Sequence, residues 1–360
     1  MWTFRFSALF ADRDTVGPRK HMEDLMIETL TRRQLLFMAG AVVAAPTRRL
    51  AAQAGAPRAI ATRTLNHLHL IVSNLQRSLD FYQRLFGMPL AGMQGVESDW
   101  RKPVIPILAI GSGPQFISLS EGSGRSGGRD RIDHFGFGMN RFSAEAVVKM
   151  LAAHGVKADV RMRGDSTPPV AELKFTDPDN ITIQIQDPSY CGGAGALGNK
   201  CRQQRAPKVA GPPPIPVQTL NHFTLTVSDV ERSVAFYERV LGMRLQAMQA
   251  TEADWSKPVI PVLGIGGGPQ FIAFGRGGSA AATTGRIDHF CLGMPGFRAD
   301  TVVKMLADHG LTGNVRKRAD RQPPSEELMF SDPDGIRVQI QDVGYCGGTG
   351  VLGDRCGPGQ

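Results

Sequence analysis

The 360-residue chain lacks any block of basic residues interleaved with aromatic residues, although its formal net charge is +8. Proteins that bind nucleic acids usually gather Lys and Arg on one surface, beside aromatic side chains that stack on bases. Here the basic residues are spread along the chain, and several of them lie near its N-terminus. We therefore expect no nucleic acid partner.

The apolar run near the N-terminus, Leu35–Ala45, is also short, with eleven residues. A helix that spans a bilayer needs roughly 20. The pair Arg32-Arg33 precedes this run, an arrangement that resembles a twin-arginine export signal. The sequence predicts a leader over 1–54, a periplasmic or extracellular mature protein, and no stable membrane insertion after cleavage. A short basic amphipathic helix is the alternative interpretation.

Cysteine is scarce, with five residues in the whole chain. Cys191 and Cys201 flank a glycine-rich segment, and Cys346 and Cys356 flank a second segment of the same pattern. A disulfide within each pair is the simplest interpretation for an exported protein. A metal site is the alternative, but no histidine lies close to either pair. Cys291 is left without a partner and is expected to be a free thiol.

A gap-free duplication organises the rest of the chain: residues 64–201 recur as residues 219–356. This period is far longer than that of solenoid repeats, so each copy is expected to be a domain. Residues 202–218 contain Pro212-Pro213-Pro214 and are expected to form a stiff linker. Positions that both copies keep serve as an internal comparison.

Each repeat has the pattern strand–helix–strand–strand–strand, twice over. Leu65–Ser73 alternates in polarity as a strand does, and a helix that begins after the capping residue Asn74 ends at Gly87. In the second half, Ala144–Ala153 is a helix with a buried apolar stripe. The expected fold class is α+β.

Two motifs carry a family resemblance. The first, Asn66–Tyr82, reads NHxxLxVSNLxRSLxFY, and the second is the turn Asp-Pro-Asp-x-Ile at Asp177–Ile181 and again at Asp332–Ile336. With these motifs the chain resembles the vicinal oxygen chelate superfamily, which includes glyoxalase I, extradiol dioxygenases, and the fosfomycin and bleomycin resistance proteins. The resemblance implies two tandem domains, each built of two βαβββ modules whose curved sheet forms a cup around a divalent metal ion.

The resemblance also implies the metal ligands of each cup, by position along the chain. These are His67, His134 and Gln184 in the first repeat, and His222, His289 and Gln339 in the second. The third position is usually glutamate in the family, and an amide supplies a dipole where a carboxylate supplies charge. We therefore expect a divalent metal (Fe, Zn, Ni or Mn) that is bound more weakly and remains a stronger Lewis acid. Ser118 and Ala273 occupy a further family ligand position and are not expected to be ligands.

The function implied is metal-dependent chemistry on a small substrate with adjacent oxygen atoms, by a dioxygenase or lyase. The extradiol type of ring cleavage is favoured, because both glyoxalase carboxylate positions lack a carboxylate here. Glu172 and Glu327 are the candidate general acids or bases, provided that they face the cups. The alternative is a non-catalytic protein that sequesters a small molecule, as in the bleomycin resistance branch. The oligomeric state is left open.

Overall fold

The computed structural model describes residues 57–95, 104–122, 132–163, 169–193, 211–250, 254–255, 257–277, 285–318 and 325–348. The leader, residues 202–210 of the linker, Cys201 and Cys356 lie outside these residues. All described residues belong to one compact unit, Pro57–Gln360. None of the helices in the described residues is long and apolar enough to cross a membrane.

Each repeat forms one curved sheet of eight strands with two helices, so the predicted α+β class and tandem architecture are confirmed. The first repeat contains β1 (Thr62–Val72), α1 (Leu75–Phe86), β2 (Leu90–Gln94), β3 (Ile105–Ala109), β4 (Phe116–Glu121), β5 (Ile132–Met139), α2 (Ala144–Ala153), β6 (Asp159–Arg163), β7 (Val170–Thr176) and β8 (Thr182–Gln186). The second contains β9 (Thr219–Val227), α3 (Val230–Leu241), β10 (Arg244–Gln249), β11 (Ile260–Gly264), β12 (Phe271–Arg276), β13 (Arg286–Met294), α4 (Ala299–Asp308), β14 (Asn314–Arg318), β15 (Ser325–Ser331) and β16 (Arg337–Asp342).

The order of strands brings the first strands of the two modules together. The first sheet has the order β2-β3-β4-β1-β5-β8-β7-β6, and the second sheet repeats it as β10-β11-β12-β9-β13-β16-β15-β14. Strand β1 runs antiparallel to β5 and parallel to β4, and β5 runs parallel to β8. The candidate ligands predicted on β1, β5 and β8 therefore lie on three adjacent strands at the middle of the sheet.

Local sequence signals explain the helix ends and the direction of the strand faces. The Asn74 side chain accepts a hydrogen bond from the backbone N–H of Arg77, and Gly87 ends α1 in the left-handed conformation with φ of 64°. On β8, Ile183 and Ile185 are fully buried in the core. Because side chains alternate along a strand, Gln184 points to the opposite face, which is the inside of the cup.

The two repeats hold each other through their Asp-Pro-Asp turns. The Tyr82 hydroxyl of α1 donates to Asp332 Oδ2 at 2.8 Å, and the Tyr237 hydroxyl of α3 donates to Asp177 Oδ2 at 3.1 Å. The second aspartate of each turn accepts from a serine of the opposite helix, Ser78 in one repeat and Ser233 in the other. The turns that were predicted as local loops therefore also fasten one repeat to the other.

Candidate metal centre

Two histidines face each other in the first cup. His67 lies on β1 and His134 on β5, with ring centroids 5.6 Å apart and ring planes at 87°. Phe116 stacks on the other side of His67 at 4.6 Å. Both histidines and Gln184 line one cavity of about 130 Å³. The structure thus brings the three predicted ligands of this repeat together.

Hydrogen bonding determines which nitrogen of His67 faces the cavity. The Asn66 amide group donates to the Tyr190 carbonyl at 2.8 Å, so its oxygen faces the ring, where Oδ1 lies 2.8 Å from His67 Nδ1. An amide oxygen can only accept, which assigns the proton to Nδ1. In the neutral ring, Nε2 then keeps its lone pair.

His134 is oriented in the same way by a carboxylate. Its Nδ1 lies 2.7 Å from Asp133 Oδ2, so Nδ1 carries the proton and Nε2 is left with a lone pair. An N–H donated to a carbonyl or carboxylate is the usual support of a metal-binding histidine. Burial lowers the pKa of both His67 and His134 below the ordinary value, and a neutral imidazole is the form that binds a metal.

The third donor is the amide of Gln184, which lies within hydrogen-bonding reach of His67. The described residues contain no group of three His, Cys, Asp or Glu arranged to hold a metal ion. Two imidazole nitrogens and one amide oxygen nevertheless form a donor set that suits a transition metal and leaves coordination positions for substrate. The residues present therefore fit a divalent metal, without the charge that a carboxylate would add.

A third histidine, His69, lies in the first cup; because Thr224 replaces it in the second repeat, the sequence gives no reason to expect a shared ligand there. The His69 ring stacks on His134 at 5.1 Å between centroids. Its Nδ1 lies 2.8 Å from Ser118 Oγ and its Nε2 lies 3.0 Å from Ser120 Oγ. Both ring nitrogens are therefore engaged by β4, so His69 is a support of the cup wall and His134 is the ring that faces the cavity.

Glu172 lies inside the first cup, on β7. It is buried and lines the cavity, and its Oε1 lies 3.4 Å from Arg163 Nη1 and 3.4 Å from the Tyr190 hydroxyl. The facing that the sequence left open is thus inward. The role of Glu172 as an acid or base stays a prediction.

The second cup repeats the histidine arrangement. His222 Nδ1 lies 2.8 Å from Asn221 Oδ1, and His289 Nδ1 lies 2.8 Å from Asp288 Oδ2. The two rings are 5.8 Å apart at 80°. Gln339 lies on β16, next to β13, and is buried. The predicted ligands of the second repeat also come together.

The surroundings of these ligands differ between the cups. Glu327 in the second cup lies 4.0 Å from Arg318, as Glu172 lies beside Arg163. Asp288, in contrast, accepts from Arg337 at 2.5 Å, and Thr182 stands at the corresponding position in the first repeat. Cys291 is fully buried, and burial raises the pKa of its thiol well above the ordinary value. This thiol stays protonated and fills space.

The cysteine pairing lies partly outside the described residues. Among the described residues, Cys291 is a free thiol, whereas Cys191 and Cys346 are each disulfide-bonded. Cys201 and Cys356, their expected partners, are not among the described residues. The pairing within each repeat therefore stays a prediction.

Residues 64–185 and 219–340 each match the sequence profile of the Glyoxalase/Bleomycin resistance protein/Dioxygenase superfamily. The chain belongs to this superfamily. The two matches correspond to the two repeats, so it is a tandem member, as the motifs indicated. No curated protein matches the chain.

Solved structures of this superfamily share the fold. The 2,3-dioxygenase LapB from Pseudomonas sp. KL28 is 18% identical over 80% of this chain and 94% of its own, with a TM-score of 0.58. Homoprotocatechuate 2,3-dioxygenase from Arthrobacter globiformis is 16% identical over 79% and 81%, with a TM-score of 0.56. The Mn(II)-bound glyoxalase from Novosphingobium aromaticivorans is 13% identical over 79% and 83%, with a TM-score of 0.57. At these identities the likeness concerns the fold alone.

Proposed function

We propose that this superfamily member is a metal-dependent enzyme that acts on a small substrate with two adjacent oxygen atoms. The observation that carries the proposal is the orientation of four buried histidines, two in each cup. Their Nδ1 atoms are all held by Asn or Asp, so their Nε2 lone pairs are presented to the cups beside Gln184 and Gln339. A bound divalent ion would supply Lewis acidity and a place for the two substrate oxygens.

The residues of the first cup perform the remaining tasks. Asn66 and Asp133 keep the two imidazoles in one tautomer and one orientation. Glu172, buried beside Arg163, is the carboxylate that can take a proton from a substrate hydroxyl and return it later. Tyr190 bridges this group to the ligands, because its carbonyl accepts from Asn66 and its hydroxyl donates to Glu172.

Cleavage of a ring by oxygen, the extradiol type of reaction, remains the leading subclass, and a lyase reaction is the other enzymatic possibility. Solved structures of 2,3-dioxygenases have the same fold. The amides Gln184 and Gln339 favour a second candidate function: reversible sequestration of a small molecule. An amide binds a metal less tightly than the carboxylate that this position usually holds.

One experiment separates these possibilities. Metal-free protein is loaded anaerobically with Fe(II), Mn(II) or Zn(II), the bound metal is quantified by elemental analysis, and oxygen uptake is followed with catechol and substituted catechols. We expect metal to bind, and oxygen uptake to require the bound metal. His134→Ala should abolish the oxygen uptake that the first cup contributes. The control His309→Ala, at the end of α4 outside the cups, should leave oxygen uptake unchanged.

Bound metal without oxygen uptake or any other turnover, together with reversible ligand binding, would favour sequestration. Wild-type protein that binds none of the three metals above background would rule out the metal-dependent enzyme.

Export through the twin-arginine-like segment is part of the proposal, since the leader lies outside the described residues. Changing Arg32 and Arg33 together to Lys should leave the precursor unprocessed in the cytoplasm, because the export machinery reads the arginine pair. Cell fractionation and immunoblotting measure this. Unchanged delivery of the double variant outside the cytoplasm would refute the twin-arginine interpretation.

A further inference from the structure

The first cup contains a lysine that the proposed chemistry does not use. Lys174 lies on β7, directly opposite Gln184 on β8. It alternates with the buried core residues Leu173 and Phe175, so its side chain shares the inner face of the sheet with Glu172. Lys174 lines the same cavity of about 130 Å³ as His67, His134 and Gln184.

The two acidic groups of this cavity are engaged by other residues. Asp133 is the acceptor of His134 at 2.7 Å, and Glu172 lies 3.4 Å from Arg163. Within the described ranges, the Lys174 ammonium group has neither a hydrogen-bond partner nor an ion-pair partner. Burial is the main cause that lowers the pKa of Lys174, and the attraction to Glu172 and Asp133 offsets it only in part. A cation in a partly buried place with no internal partner is costly unless a ligand pairs with it.

The second cup has no lysine at the corresponding position. Met329 stands at the position of Lys174, opposite Gln339. Two cations of this cup lie near carboxylates: Arg337 on β16 donates to Asp288 at 2.5 Å, and Arg318 lies 4.0 Å from Glu327. Both cups therefore keep the same histidines and glutamine, but in the described residues only the first has a lysine beside them, and this lysine has no direct ion-pair partner there.

A second group of residues changes along with the lysine. His69, Ser118 and Ser120 form one hydrogen-bonded cluster in the wall of the first cup. The corresponding residues of the second repeat are Thr224, Ala273 and Gly275, which cannot form it. The polar wall and the lysine thus occur together in one cup, which indicates that the two cups serve different ligands.

We propose that the first cup selects substrates that carry a compact anionic group next to their two chelating oxygens, and that Lys174 binds this group. Arg161, which lines the same cavity, adds positive charge at its edge. A cavity of about 130 Å³ restricts the enclosed part of the ligand to a compact group, since an engineered apolar cavity of about 150 Å³ is large enough for benzene. The inference rests on the proposed function in one respect, because the chelating oxygens are assigned to the metal.

The test compares two ligands of nearly the same shape, 3,4-dihydroxybenzoate and the uncharged 3,4-dihydroxybenzamide. Both are titrated calorimetrically into Zn(II)-loaded protein, because zinc is not redox-active and prevents turnover. A charge-assisted hydrogen bond favours the anion by about tenfold or more. We expect the wild type to show this preference, and Lys174→Met to lose it while its affinity for the benzamide stays the same.

Controls separate the charge from the fold and from the metal. Lys174→Met installs the residue of the second repeat, so it suits this fold, and Lys174→Arg should restore most of the preference. Met329→Lys, in the second cup, should leave the first-cup preference unchanged. Excess inorganic phosphate distinguishes the source of the anion: strong competition with the benzoate would indicate that the cup takes phosphate esters as readily as carboxylates.

The outcomes also separate this inference from the proposed function. Zn(II) affinity should be nearly the same in the wild type and in Lys174→Met. If zinc binds but the benzoate preference is absent, or survives in Lys174→Met, the role of Lys174 is wrong and the metal site stands. If zinc does not bind, the same pair of ligands is titrated into metal-free protein, where a Lys174-dependent preference would still support the anion site. Absence of binding by both ligands in both forms would overturn it.

Discussion

Asp332→Ala should lower the free energy of unfolding by about 3 kcal/mol at pH 5. The Asp332 carboxyl group is buried, and its oxygens accept three hydrogen bonds, from the Tyr82 hydroxyl of the other repeat and from the backbone N–H groups of Asp334 and Ile336. Removing the acceptor leaves three buried donors unsatisfied, at a cost of about 1–3 kcal/mol each before relaxation. Urea denaturation followed by circular dichroism measures the loss.

The control lies on the first helix. Asp80 accepts from Gln76 on the helix surface, and Asp80→Ala should change stability by less than about 0.5 kcal/mol. If Asp332→Ala is as mild as this control, the turn does not fasten the repeats together. Asp177→Ala should resemble Asp332→Ala, because Asp177 accepts from Tyr237 and its own turn in the same arrangement.

The contribution of Asp332 to stability should also depend on pH. Burial is the main cause that raises the pKa of Asp332 from 3.8 to about 6. The folded state therefore binds a proton that the unfolded state releases, and this contribution is complete below about pH 3.8 and is lost as the pH rises through 6. Asp332→Asn cannot titrate, so its stability relative to wild type should improve by about 2 kcal/mol between pH 4 and pH 7. A difference that stays constant over this range would contradict the raised pKa.

Most of the fold could be predicted because its determinants are local. The alternation of Leu65–Ser73, the cap at Asn74 and the stop at Gly87 depend on residues within one turn or one strand of each other. The strand boundaries shifted by a few residues: the first strand, expected to begin at Leu65, begins at Thr62. The pairing of Tyr82 with Asp332 was not predictable, since nothing in either segment indicates a partner 250 residues away.

The candidate site also contains residues that could be predicted from the sequence and residues that could not. His67, His134 and Gln184 could be named because the family resemblance implies ligands at these positions, and both repeats keep them on the cup-facing side of their strands. The same comparison set His69 aside as a shared ligand and overlooked Lys174, because the second repeat has Thr224 and Met329 at these positions. A comparison of two internal copies finds what the cups share and hides what distinguishes them. The signal that remains is chemical: a lysine that alternates with core residues on a sheet must point into the cup.

The largest expected effect on metal binding comes from the ligands themselves. Loss of a residue that only supports a metal ligand lowers metal affinity by about 10- to 100-fold. His134→Ala removes a ligand itself, so it should lower the metal affinity of the first cup by more than this. Gln184→Glu should raise it by about tenfold or more, because a carboxylate adds the negative charge that a divalent ion attracts. Titration of metal-free protein with Zn(II), Fe(II), Ni(II) and Mn(II) measures both.

Lys174 should limit the gain in metal affinity that Gln184→Glu produces. It lies opposite position 184, so its ammonium group would compete with the metal for the new carboxylate. Adding Lys174→Met to Gln184→Glu should therefore raise the metal affinity of the first cup further. In the second cup, Gln339→Glu should reach its full gain in affinity alone, because Met329 already lies opposite position 339. The expected order of first-cup affinity is His134→Ala, wild type, Gln184→Glu, then the double variant. If all four proteins bind these metals equally, the histidines and glutamines are polar lining and not ligands.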